Sequence, residues 1–187
     1  GGAVNGGSDT YVAWNWKANG SGSANTDGDM AETVTVSANV DAGFSIITYI
    51  GDGANATVGH GLSKAPEMII VKNRDTASRP WLTYHHKNTA EPETDYLILN
   101  TTAATVDYHT RWNDTAPTAD VFSIGDSNNC NTDDDNYVAY CFHSVDGYSK
   151  VGSYVGNGTQ DGPFIYTGFR PAWIMVKCSD RGNSETN

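Results

Sequence analysis

Residues 43–75 read GFSIITYIGDGANATVGHGLSKAPEMIIVKNRD, and residues 147–180 follow the same outline as GYSKVGSYVGNGTQDGPFIYTGFRPAWIMVKCSD. Each copy has Gly-aromatic-Ser, a strand ending in Tyr, a Gly-x-Gly turn, and a Pro-led apolar run closed by Lys72 or Lys177. Asp75 and Asp180 stand at the same distance beyond those lysines. Glycine punctuation around short β-branched and aromatic runs predicts strands joined by tight turns. The near-continuous apolar run Met68–Lys72 reads as a strand covered on both faces.

Working outward, the copies extend upstream. Tyr11-Val-Ala-Trp-Asn-Trp-Lys17 matches Tyr137-Val-Ala-Tyr-Cys-Phe-His143, each alternating an aromatic face with a smaller one. Tyr11 precedes Gly43 by 32 positions, whereas Tyr137 precedes Gly147 by 10, so the first copy carries an insertion at 18–40. Within it, 18–29 is Gly/Ser/Asn-rich and reads as a flexible loop, and 32–40 reads as an added strand. The expected organisation is a linker or the end of a preceding unit at 1–10, a first repeat unit at 11–136, the start of a second unit packed on the first at 137–180, and a polar tail at 181–187.

Further strands are expected at 43–50, 81–85, 96–99 and 121–124, with a short strand or turn at 55–61, a long surface loop at 100–120 and a polar excursion, GDSNNCNTDDDN, at 125–136. Strands at this spacing predict an all-β chain, an antiparallel β-sandwich of jelly-roll or lectin-like form built on an internal repeat. Five Glu and three Met among 187 residues leave few strong helix formers, while ten Tyr and five Trp supply core area. The net charge of −11 argues against nucleic acid and anionic membrane as general electrostatic partners. No apolar run approaches the length of a membrane-spanning helix.

Several groups are candidate sites. Asp133, Asp134 and Asp135 supply hard oxygen donors for calcium, the alternative being a solvated acidic turn, because the EF-hand glycine and closing Glu are missing. Trp112 and Tyr108, in a polar loop beside His109, and Trp81, in a strand, are candidate stacking platforms for a sugar ring. His60, flanked by two glycines, is expected to fix a tight turn through backbone hydrogen bonds. No Gly-x-Ser-x-Gly, no HExxH and no strand-borne carboxylate pair marks an enzyme, so catalysis is not expected. Cys130, Cys141 and Cys178 lack zinc-ligand spacing; Cys141 and Cys178, in or beside expected strands, read as buried thiols, with one disulfide as the alternative.

Taken together, Tyr137–Ser149, Gly152–Gly158, Asp161–Phe164 and Gly168–Trp173, with Gly43–Ser45, Gly59–Leu62, Pro66 and Ile69–Asn73, resemble an uncharacterised β-domain. That domain recurs in structural proteins of marine tailed bacteriophages, often beside concanavalin-A-like lectin modules. The Gly-His-Gly-Leu segment is also similar to hairpins of phage tail-fibre domains. The resemblance covers 11–17 and 43–180 and brings no catalytic residues. It implies a virion surface component: a tail fibre, an appendage or a capsid decoration. Its expected partners are other virion structural proteins, further copies of itself and a host cell-surface glycan. The alternatives are a purely architectural spacer and a glycan depolymerase.

Overall fold

A computed structural model describes residues 6–180, so the start of the 1–10 segment and the 181–187 tail lie outside the described residues. The described residues are all-β, apart from one 3-10 turn at Val40–Ala42. Among them are ten strands, β1 (Ser23–Asn25), β2 (Val34–Asn39), β3 (Phe44–Ile50), β4 (Ala56–Gly59), β5 (Met68–Asn73), β6 (Leu82–His85), β7 (Asp95–Ile98), β8 (Val106–Asp107), β9 (Val121–Ile124) and β10 (Asn136–Phe142). Eight of them form one antiparallel sheet in the order β1-β2-β3-β10-β5-β6-β7-β8, and β4 pairs with β9 in a second, smaller sheet. The result is sandwich-like.

The period of two along the strands explains the core. From the large sheet, Val36, Ile47, Tyr49, Tyr137, Ala139, Ile69, Val71 and Leu82 are buried, and Val58, Phe122 and Ile124 of the small sheet meet them. β10 is central, with Tyr137 opposite Tyr49 on one side and Asn73 on the other. The expected division between 136 and 137 therefore does not hold, because the second Tyr-Val-Ala strand completes the first unit's own sheet.

Other departures have local causes. β1 runs through the expected loop at 18–29, held by three residue pairs to β2. Tyr11–Lys17 and residues 150–178 are in no strand among the described residues, although they carry the repeat. A strand needs a neighbour to take its backbone groups, and the Tyr137 strand already fills the gap between β3 and β5. The internal repeat is thus a repeat of sequence that the described structure does not turn into a second set of strands.

The polar excursion at 125–136 is a clamp on the sandwich. Buried Asn131 accepts from the Asp52 backbone N–H at 2.9 Å and donates to Asp52 Oδ1 at 2.9 Å and to the Ala54 carbonyl. It thereby holds the Gly51–Gly53 turn. Only glycine fits at 51, since a Cβ there would stand 2.1 Å from the Thr132 carbonyl. The rings of Tyr49 and Tyr137 stack at 5.1 Å, and both hydroxyls reach into the excursion.

Candidate functional site

One exposed aromatic surface lies where β8 leads towards β9, among the expected candidates. The antiparallel β7–β8 pair sets Tyr96 opposite Val106, and the Tyr108 N–H continues towards β7 by donating to the Thr94 carbonyl at 2.9 Å. The chain then turns, with the Arg111 N–H donating to the Tyr108 carbonyl at 3.2 Å. This places the Arg111 guanidinium over both the Tyr96 and the Tyr108 rings, 4.9 Å from each centroid. His109 stacks on Tyr108 at 5.6 Å and 27°.

The cation is fixed from behind. Arg111 Nη1 donates to Ser127 Oγ, and the Arg111 carbonyl accepts from the Gly125 N–H at 3.1 Å. A Cβ at Gly125 would lie 2.3 Å from the Thr110 carbonyl, so the two loops can pack this closely only with glycine there. Each cation–π contact of this partly exposed kind contributes on the order of 0.5–1 kcal/mol. The phenol of Tyr108, 48% exposed, is therefore presented on a held loop that follows the exposed Asp107. A flat ring beside hydrogen-bonding groups can stack on the apolar face of a sugar and meet its hydroxyls.

Of the three aromatic candidates, only Tyr108 is on this surface. Trp112 is 2% exposed, with its ring edge-to-face against Tyr84 at 5.8 Å. It is a core side chain, which corrects the reading of it as a stacking platform; the loop turns inward there and buries the indole in the core. Burial likewise raises the Tyr84 phenol to about 12, with Glu93 adding to the effect. Trp81 is half-buried just before β6, where its backbone N–H donates to Asn100 Oδ1 and its carbonyl accepts from the Leu99 N–H. It does not join Tyr108. Tyr96 and Arg111 were missed by sequence reasoning, because their meeting depends on the β7–β8 register; an Arg three residues after an exposed Tyr was the one available signal.

The three aspartates do not form a ligand cage. Asp134 takes a left-handed conformation (φ 63), and Asp135 Oδ2 accepts from Asn73 Nδ2 at 2.8 Å. Among the described residues, no three Asp, Glu, His or Cys side chains converge as a metal site. All three cysteines are free thiols, Cys130 and Cys141 buried and Cys178 exposed, so the disulfide alternative and the expectation of burial at Cys178 are both corrected. Burial raises Cys130 to about 12.

His60 behaves as expected of a turn residue. Its Nδ1 accepts from the Leu62 N–H at 3.1 Å and its Nε2 faces the Thr118 carbonyl at 3.2 Å, an arrangement that fits the neutral ring. Burial lowers its pKa accordingly. Lys72 Nζ donates to the carbonyls of Ala77 and Arg79, and Asp75 Oδ2 accepts from the backbone and side chain of Asn136. Both are framework at strand ends.

A family described as a domain of unknown function (DUF7483) matches residues 1–185. No curated protein and no solved structure matches the chain.

Proposed function

We propose, for a chain that belongs to the DUF7483 family, the role of a structural module on the surface of a tailed-phage virion, in a fibre or appendage that contacts a host-surface glycan. The observation that carries the glycan part is the Tyr96–Arg111–Tyr108 stack, which holds an exposed phenol and its stacked His109 at the edge of the large sheet. Rigid presentation limits the entropy lost on binding. Individual sugar contacts of this kind are weak and gain strength from copy number on a particle. The acidic surface suits a neutral or cationic glycan better than a polyanion.

The test is binding of the full chain, displayed multivalently on beads, to an array of bacterial surface polysaccharides, alongside Tyr108→Ala and Arg111→Ala. Binding that both variants abolish supports the reading. Binding that survives both, or no binding by the unaltered chain, sinks it. The architectural alternative, a spacer or capsid decoration with no ligand, is favoured by a different observation: the large apolar side chains exposed in residues 148–176, which suit burial against protein.

A further inference from the structure

The repeat carries a strand register with it. In the first copy β10 pairs antiparallel with β5, setting Phe142 opposite Met68, Tyr140 opposite Ile70 and Ala139 opposite Val71. Residues 11–16 are the sequence counterparts of the β10 residues 137–142, and residues 173–178 are those of β5. Carried across, the register sets Trp16 opposite Trp173, Trp14 opposite Met175 and Ala13 opposite Val176.

The two segments, far apart in sequence, meet at the first rung of that register. The Trp16 ring lies 5.4 Å from that of Trp173, its expected opposite number. Trp14, the diagonal neighbour of Trp173 in the same register, has its ring 6.2 Å away. Diagonal partners on one face of a ladder are within reach of large aromatic side chains. Exposure along the second segment alternates: Trp173 and Met175 are 41% and 40% exposed, Ile174 and Val176 70% and 61%. That is the alternation of an extended strand with one face turned towards a surface. Trp16 ties this face to the sandwich, its ring 6.1 Å from that of Phe142 and 6.3 Å from that of Phe44. Lys177 Nζ donates to the carbonyls of Thr101 and Ala103, and the Ser179 carbonyl accepts from the Thr105 N–H, so the second segment is anchored at its far end.

The ladder itself is open. Among the described residues, no backbone–backbone hydrogen bond involves residues 11–17 or 171–178, so their N–H and C=O groups are left to water. We propose that residues 11–16 and 173–178 close into a two-stranded antiparallel clasp with Trp16 opposite Trp173. The structure holds its aromatic rung made and its backbone rungs open. A pair of strands alone is marginal in water, so the clasp is a two-state element rather than a fixed part of the sheet. The tryptophan rung, packed on Phe44 and Phe142, biases it towards closure. Closed, it joins the N-terminal segment to the second copy and gives that copy's Pro-led strand the kind of partner that β10 gives the first.

The test is a pair of introduced cysteines in the full chain, with Cys178→Ser removing the exposed native thiol and leaving Cys130 and Cys141 buried. Ala13→Cys with Val176→Cys is in register, whereas Ala13→Cys with Ile174→Cys is two residues out of register on the same face. All three positions are exposed, so the fold has little to lose from any of these changes. Residues directly opposite in an antiparallel pair stand within the Cα span that a disulfide bridges, and diagonal ones stand beyond it. In a glutathione redox buffer the in-register pair is expected to form an intrachain disulfide about tenfold faster than the offset pair. Equal rates, or a faster offset pair, overturn the inference. A disulfide that joins two chains instead of closing one overturns it equally.

Discussion

Replacing Tyr137 by Phe keeps the ring that stacks on Tyr49 and removes only the hydroxyl. That hydroxyl accepts from the Thr132 N–H at 2.9 Å and from Asn73 Nδ2 at 3.0 Å, and donates to the Asn128 carbonyl at 3.2 Å. Asn73 Nδ2 retains Asp135, but the half-buried Thr132 N–H and the Asn128 carbonyl lose this partner. At about 1 kcal/mol net per bond, the loss of the three bonds is about 3 kcal/mol. Tyr49→Phe is the matched control, since its hydroxyl makes one bond, to the Cys130 carbonyl at 2.7 Å, and its removal should cost about 1 kcal/mol. Urea titration followed by tryptophan fluorescence measures both, with an unchanged slope showing that the unfolded state is the same. An equal or smaller loss for Tyr137→Phe would refute the account of the 125–136 excursion as a hydrogen-bonded clamp and leave packing as its only support.

Trp112→Ala should destabilise the chain by about 3–5 kcal/mol, as expected for an emptied aromatic core site; a loss below about 1 kcal/mol in the same titration would return the indole to the surface. Of the three thiols, only Cys178 should react with a chromogenic disulfide reagent in the folded chain, giving one equivalent before denaturant and three after. Stability should fall as pH drops from 7 to 5. Burial holds the His60 and His85 imidazoles below their ordinary value, so between that value (about 6.5 in the unfolded chain) and the lower folded one, the unfolded chain takes up protons that the folded chain refuses. Their contribution is complete above the upper limit of that window and lost below it. Urea midpoints across the range, with His60→Asn flattening the slope, check the sign; a rise in stability towards pH 5 would contradict it.

Much of the fold was legible. Glycine punctuation and alternation located β3, β5, β9 and β10 within a residue or two, because in each the local pattern and the tertiary role agree. β1 was hidden because Ser23–Asn25 has no strand composition and exists through pairing with β2. The second copy was misread for the converse reason: it has strand composition, but one Tyr-Val-Ala strand cannot be the middle of two sheets. The candidate site was half legible. Tyr108 is exposed as its polar surroundings suggest, yet Trp112, four residues later in the same polar stretch, is core, since the fate of an aromatic in a loop depends on which way the loop turns. Acidic residues crowded at 133–135 suggested a cation, whereas the determining residue was the amide Asn131, whose role depends on a turn 79 positions away in sequence.

The most direct test of the account is to locate the chain by immunogold labelling and electron microscopy of intact phage particles, using an antibody raised against the purified domain. The account predicts label on the outside of the particle, on a fibre, an appendage or the capsid exterior, with access to host glycans. Label confined to the capsid interior or to the host-cell fraction, with particles bare, would contradict it.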